Sequence, residues 1–373
     1  MPVLSVKGLE NSAELLRRAH LVLAYVLHFY VQSSPPDEPT LIPAPISLPM
    51  LRVSRQLGIP PLLTFSDTVL FNWAFRVQPN SESEDAIPTP ENIRIQTTFT
   101  NTRDEEEFYL CSARIELVGV EILELMRLTM DEIFVGDHIA VRRIAQYLET
   151  IAGVIVRLKA ILLDVKKLCD PDVYYNQVRP WFRGEDAIEY GSPKRKWVFE
   201  EIETDGSLSI PVELSGPSAG QSSMIHIIDI FLGVDHDIAS SGQRSFMSRM
   251  QSYMPRNHQI FLDHLKANPR PLRDFVKNNS DHGLLEAYNR AVLALKEFRD
   301  AHMIIATLYI LGPARRAAKL ASQYAGKSPY IKQPEPSLES DERKVLKGTG
   351  GTDLVKFLKD TRTRTTNTVL PNQ

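Results

Sequence analysis

Leu284 to Leu311, LLEAYNRAVLALKEFRDAHMIIATLYIL, decides the fold. Tyr288, Val292, Leu295, Phe298, Ile305 and Tyr309 recur at steps of three, four and seven, the period of a helix that buries one face. Acidic and basic residues occupy the positions between them. His302 falls on the apolar stripe, one turn beyond Phe298, so its ring is expected to point inward. Two readings fit an inward histidine: a hydrogen-bonded core residue, or an axial iron ligand on the wall of a haem pocket.

Working outward, the same period marks Phe108 to Val135, Asp137 to Leu168, Ser223 to Val234 and Ser245 to Lys266 as helices. The fold class expected is mainly α, with a large all-α domain over 98–373. Glu10 to Val31 is one more helix, stopped at Ser33-Ser34-Pro35-Pro36. Residues 35 to 49 hold six prolines and read as an extended connector. Apolar runs then resume from Pro49 to Trp73, and Gln78 to Asn92 reads as a surface loop. These pieces make a small N-terminal mixed domain over 1–97. Within the large domain, Arg179 to Gly220 is a mixed, turn-rich segment and Lys327 to Lys347 a polar stretch in a mobile loop of about 327–352.

The chain has 373 residues, of which 43% are hydrophobic and 24% charged, as in soluble globular proteins. A formal charge of -3, spread over the sequence, supplies no basic field for a phosphate backbone, so nucleic acid is not expected as a partner. Cys111 and Cys169 stand far apart and show neither disulfide-framework nor zinc spacing. Leu21 to Val31 is interrupted by His28 and too short to span a bilayer, and no signal peptide or lipidation box is present. A cytoplasmic protein without a membrane partner is the expectation.

Several short motifs carry candidate chemistry. Gly216-Pro217-Ser218-Ala219-Gly220 matches the GxSxG nucleophile elbow, with Ser207 to Leu214 as its strand, but long helices replace the alternating strands and helices such a hydrolase needs. Ala325-Gly326-Lys327-Ser328 resembles the end of a phosphate loop whose first glycine is replaced by Ala321. Gly348 to Asp353, GTGGTD, is either a backbone that closes over a ligand or a flexible loop. Asp235-His236-Asp237 reads as a solvated loop. Tyr174-Tyr175-Asn176-Gln177-Val178-Arg179-Pro180-Trp181 holds a guanidinium among aromatics, which suits either a planar carboxylate-bearing ligand or structural packing.

Four motifs in order, Leu214 to Ser223 (LSGPSAGQSS), Tyr253 to His258 (YMPRNH), Phe298 to His302 (FRDAH) and GTGGTD, resemble the indoleamine 2,3-dioxygenase family. Weaker similarity runs back through Ile59-Pro60-Pro61 and Asn72-Trp73 to the first helix, covering nearly the whole chain. The sequence begins several dozen residues later than typical members, near the helix at Leu15 to Leu27, which bears on the small domain's stability.

The resemblance implies a haem-dependent enzyme that opens the indole ring of tryptophan with O2, giving N-formylkynurenine. It implies haem b with His302 as proximal ligand, supported by Arg299 and Asp229. Phe108 and Ser112, spaced i and i+4 on one helix face, correspond to positions lining the oxygen and substrate site. Tyr174 and Arg179 correspond to the pocket aromatic and the carboxylate-binding arginine, and Pro217, Ser218 and Ala219 to the loop over haem and substrate. Thr349 lies in the glycine-rich loop that closes on the substrate. Ser112, Arg179 and Thr349 are the expected catalytic contributors, with an external reductant and a monomeric state.

Three positions depart from the family. Tyr174 replaces a phenylalanine, Pro217 a common glycine, and Phe65 a position that is tyrosine in some members. Tyr174 and Pro217 leave open a member acting on another indole; a haem-binding protein without turnover is a separate reading, against which the retained Arg179, Ser112 and Thr349 argue.

Overall fold

The computed structural model describes residues 2–35, 38–78, 87–186, 195–211, 213–234, 245–267, 272–325 and 354–371. Its framework is three long helices: α3 (Arg103–Val135), α4 (His138–Asp164) and α10 (His282–Ala306). Local chemistry sets where they begin and turn. The Thr102 hydroxyl accepts the Glu105 N–H at the start of α3, and Gly136, at φ 69°, closes the helix in a left-handed conformation that glycine adopts without strain. Asp137 follows at once and accepts the N–H groups of Ile139 and Ala140, so α4 folds straight back on α3.

α4 packs between α3 and α10. Ile144, Leu148, Ile151, Leu158, Val292 and Leu295 are sealed between them. Each fully buried aliphatic side chain contributes roughly 1.5 to 3 kcal/mol, which makes this seam the main source of stability. The remaining elements surround it: α1 (Ala13–Ser33), α2 (Ala44–Leu57), the single turn α5 (Pro171–Val173), α6 (Ser223–Leu232), α7 (Phe246–Gln251), α8 (Arg256–Ala267), α9 (Leu272–Lys277), α11 (Gly312–Ala325) and α12 (Leu354–Thr368). Strands are short. β1 (Thr40–Ile42) pairs in parallel with β4 (Trp197–Phe199), and β2 (Trp73–Phe75) antiparallel with β3 (Ile93–Ile95). The β1–β4 pair and the Gln32 side chain on the Arg183 carbonyl, 2.8 Å, tie the N-terminal segment to the helical body. The main apolar core runs from Leu21 to Leu370, and a small second cluster joins Val6, Leu16 and Val53. Among the described residues no helix is long and apolar enough to cross a membrane.

The mainly α fold expected from periodicity is what forms, with four local corrections. The connector expected over residues 35 to 49 ends early, because α2 begins at Ala44. Pro45 sits in its first turn, where no backbone donor is lost, and Pro49 is carried inside by the burial of Ile46, Met50, Leu51 and Val53. The helix expected over Ser245 to Lys266 is two, α7 and α8, parted at Pro255. The helix expected to stop at Leu311 continues through a π turn, Thr307–Leu311, into α11. That wider turn falls where Pro313 has no N–H to give the Tyr309 carbonyl. Ser207 to Leu214 forms no strand over its described residues.

Candidate cofactor and substrate site

Two adjoining chambers open inside the helical body, and both are bordered by Phe65, Phe108, Ser112, Ala219, His302 and Ile305. α3 supplies one wall through Phe108 and Ser112, one turn apart. α10 supplies the facing wall through Arg299, His302 and Ile305, again at helical spacing. The segment 216–221 runs between them, and Phe357 of α12 borders both chambers.

The α10 wall carries the main electrostatic feature. Arg299 Nη2 donates to both Asp229 oxygens, at 2.6 and 2.7 Å, and Nη1 donates to the Thr365 hydroxyl. Asp229 on α6 is 1% exposed and Arg299 7%. Such an ion pair persists in the interior because its charges are matched and further hydrogen-bonded; removing either partner would strand the other. His302 lies one turn along. Burial first, and the nearby Arg299 charge second, pull its pKa down to about 4, so the imidazole is neutral near pH 7. Its ring makes no hydrogen bond to a described residue, and it faces both chambers.

The segment 214–221 owes its path to glycine. A Cβ on Gly216 would stand 1.8 Å from the Phe182 carbonyl oxygen, and one on Gly184 2.1 Å from that of Leu214, so two backbones meet where no side chain fits. Ser218 Oγ accepts the Gly220 N–H at 3.2 Å. Among the described residues neither a preceding strand nor a histidine on Ser218 is present, so the nucleophile-elbow geometry is not formed there. Gln221, 1% exposed, accepts the Phe65 N–H at 2.8 Å and donates to the Gly216 carbonyl at 3.0 Å, fixing Phe65 against the loop. Tyr253 takes the Ser215 N–H at 2.9 Å, and His258 pairs with Ser223 at 2.7 Å. The YMPRNH motif thereby holds the LSGPSAGQSS motif in place.

Glu116, one turn beyond Ser112, borders the second chamber and accepts the Ser222 hydroxyl. Burial pushes its pKa up to about 7, with the Ser222 bond opposing. Neither Gln221 nor Glu116 was among the sequence candidates. Both sit within motifs or on the Phe108–Ser112 helix face, which was the available signal.

On the first chamber's border, Tyr174 packs against Phe108 at a tilt of 33° with ring centroids 4.3 Å apart and meets Tyr309 edge-on at 5.7 Å. Tyr174 opens a π turn, Tyr174–Val178, closed by the Arg179 N–H on the Tyr174 carbonyl. Arg179 is 6% exposed, with its guanidinium carbon 5.4 Å from the Tyr175 ring centroid, and does not itself border either chamber among the described residues.

Of the sequence candidates, Phe65, Phe108, Ser112, Tyr174, Ser218 and Ala219 border the first chamber together with Pro217 and His302. Arg299 borders the second chamber, and Asp229 stands directly behind it. Thr349 with the GTGGTD motif, Asp235-His236-Asp237 and the Gly326-Lys327-Ser328 stretch lie outside the described residues.

An observation of the chain itself tests whether haem fits. A neutral imidazole without a partner among the described residues faces a double chamber with apolar walls, and a paired arginine lies one turn away. Those residues match an iron ligand and its surroundings.

The model of the family described as indoleamine 2,3-dioxygenase matches residues 1–368. An indoleamine 2,3-dioxygenase of Saccharomyces cerevisiae is 34% identical over 95% of this chain and 78% of its own length. One of Aspergillus candidus is 32% identical over 100% of this chain and 85% of its own. A protein of Fusarium equiseti named 6-hydroxytryptophan 2,3-dioxygenase is 31% identical over 96% and 82%.

Proposed function

This chain belongs to the indoleamine 2,3-dioxygenase family, and we propose that it cleaves L-tryptophan with haem b and O2, inserting both oxygen atoms across the indole C2–C3 bond to give N-formylkynurenine. It is a dioxygenase, an oxidoreductase of that family. The observation that supports the cofactor assignment is the neutral imidazole of His302, without a partner among the described residues and facing both chambers. Haem, when bound, supplies the oxygen chemistry, and the protein supplies binding, orientation and polarity.

Each residue has a defined part. His302 offers a lone pair to iron, and Arg299, held by Asp229, keeps a fixed positive charge beside it. Phe108, Phe65 and Ala219 give the indole an apolar slot, and the Ser112 hydroxyl is the polar group on that wall. Arg179 takes the substrate carboxylate in a bidentate pair, for which its planar fork is suited. Thr349 is the further substrate-side contact that the family resemblance implies. Fixing the ring in this way brings C2 and C3 within reach of oxygen and removes the entropy cost of encounter from the chemical step.

The titratable groups bordering the first chamber among the described residues are His302 and the phenols of Tyr109, Tyr174 and Tyr309. Burial holds all three phenols protonated at neutral pH. The three phenols, held protonated, are not bases, and the carboxyl of Glu116, its pKa raised to about 7 by burial, borders the second chamber one turn from Ser112. The physiological setting is a soluble monomer in the cytoplasm served by an external reductant.

Turnover tests the proposal directly. Haem-reconstituted protein under reductant and oxygen is expected to convert L-tryptophan to N-formylkynurenine, with 6-hydroxytryptophan as a competing substrate, given the Fusarium relative's name. Haem binding without product from either would leave a haem-binding protein and contradict the enzyme reading for these substrates.

A further inference from the structure

Besides the two chambers, a cleft of about 350 Å³ opens between α3, α6, α8 and the stretch 69–73, against about 160 Å³ for each chamber. That size suits a small molecule. Its mouth is at Val120 and Phe261, 55% and 44% exposed, and its floor at Val69 and Ala113, each 3% exposed. Trp73 and Phe261 put aromatic rings on its walls, and the acid Glu116 borders it. Among the described residues no lysine or arginine does so.

Glu116 stands between this cleft and the second chamber, since it borders both. One oxygen, Oε1, accepts the Ser222 hydroxyl, and Oε2 has no hydrogen-bond partner among the described residues. Holding Ser222 does not call for an acid: the carbonyl of a glutamine would accept the same hydroxyl without the cost of burying a carboxylate. That cost pushes the Glu116 pKa up to about 7, and no positive side chain acts to lower it. From α8 the carboxyl is faced by His258, held below the ordinary imidazole range by burial first and the Arg17 charge second, and so neutral at pH 7. Across the second chamber stand Arg299, already paired with Asp229, and the neutral His302; Cys111, on α3 itself, stays a thiol. An acid with a free oxygen, aromatic walls and no competing cation together suit an organic ammonium, through charge pairing and cation–π attraction.

We propose that the cleft is a second ligand site for a small organic ammonium with an apolar body, its nitrogen donating to Glu116 Oε2 and its body lying along Trp73 and Phe261. The site is separate from the two chambers and does not depend on the tryptophan-cleaving reading. Ser222 borders the second chamber and bonds the same carboxyl, so a ligand in the cleft alters the charge and hydrogen bonding of that chamber's wall.

The test is calorimetric titration of the haem-reconstituted protein with phenethylamine and with phenethyl alcohol, which keeps the ring and chain without the charge, while the Soret band is recorded. The amine is expected to bind about tenfold more tightly at pH 8 than at pH 6, because Glu116 ionises over that range while the alkylammonium stays charged. At pH 8 the alcohol is expected to bind about tenfold more weakly than the amine, the size of a hydrogen bond between charged groups. Glu116→Gln is expected to bring the amine down to the alcohol's affinity and to remove the pH dependence, with wild-type haem content and melting temperature. Val120→Trp, at the exposed mouth, is expected to block both ligands. Equal affinity for amine and alcohol, amine binding indifferent to Glu116→Gln, or no amine binding at millimolar concentration would overturn the proposal. So would binding that survives Val120→Trp and displaces the Soret band, which would place the amine on the haem iron.

Discussion

His28 in α1 and His302 in α10 are both on the inward face of a long helix, and burial pulls both pKa values down to about 4. Their surroundings differ. His28 Nδ1 donates to the Trp181 carbonyl at 2.7 Å, joining the N-terminal segment to the helical body, and Nε2 accepts the Leu63 N–H at 3.1 Å within that segment, so both ring nitrogens are used. His302 uses neither nitrogen on a described residue and opens onto a chamber. A buried polar group is normally hydrogen-bonded. The first histidine obeys that rule through the protein, and the second is left for a ligand. Neutrality by burial is shared; the unused lone pair is what distinguishes a site from a core residue.

The comparison is sharpest in the haem-free protein. His28→Ala is expected to cost about 3 to 5 kcal/mol in urea unfolding, from lost packing and from a stranded carbonyl and N–H. Acidification is the next largest effect. With a folded pKa of about 4 against 6.5, the unfolded chain binds a proton at His28 that the folded chain refuses. Stability from this site is therefore complete above about pH 6.5, falls as pH drops and levels off below about 4, a total of about 3 kcal/mol. His28→Asn is expected to lessen that slope in urea titrations at pH 7 and pH 4.5, leaving the equal part that His302 contributes; an unchanged slope would remove His28 as a source. The smallest effect is that of His302→Ala on the same haem-free fold, within about 1 kcal/mol, because no hydrogen bond is lost. Should His302→Ala prove the more damaging of the two to the apo fold, the contrast would be broken.

α3, α4 and α10 were legible because each alternates a continuous apolar stripe with charge, and Gly136-Asp137 spells out a stop followed by a start. The placement of Phe108, Ser112 and His302 around one cavity follows from helical spacing once those helices pack. α2 was not legible, since six prolines in residues 35 to 49 outweigh its periodicity locally while burial outweighs them in the fold. Nor was the role of Gly216, which depends on the Phe182 carbonyl thirty-odd residues away. Gln221 reads as an ordinary polar residue until its two bonds to Phe65 and Gly216 are formed. The π turn over Tyr174–Val178 is a hydrogen-bond shift of one residue, which no side-chain pattern reports.

The account rests on His302 as the residue that holds iron, and the absorption spectrum of haem-reconstituted His302→Ala, recorded after gel filtration beside wild type, tests it most directly. The expected result is no retained Soret band, with haem recovered when free imidazole is added to fill the vacated place. A Soret band of wild-type position and stoichiometry in His302→Ala would contradict the assignment.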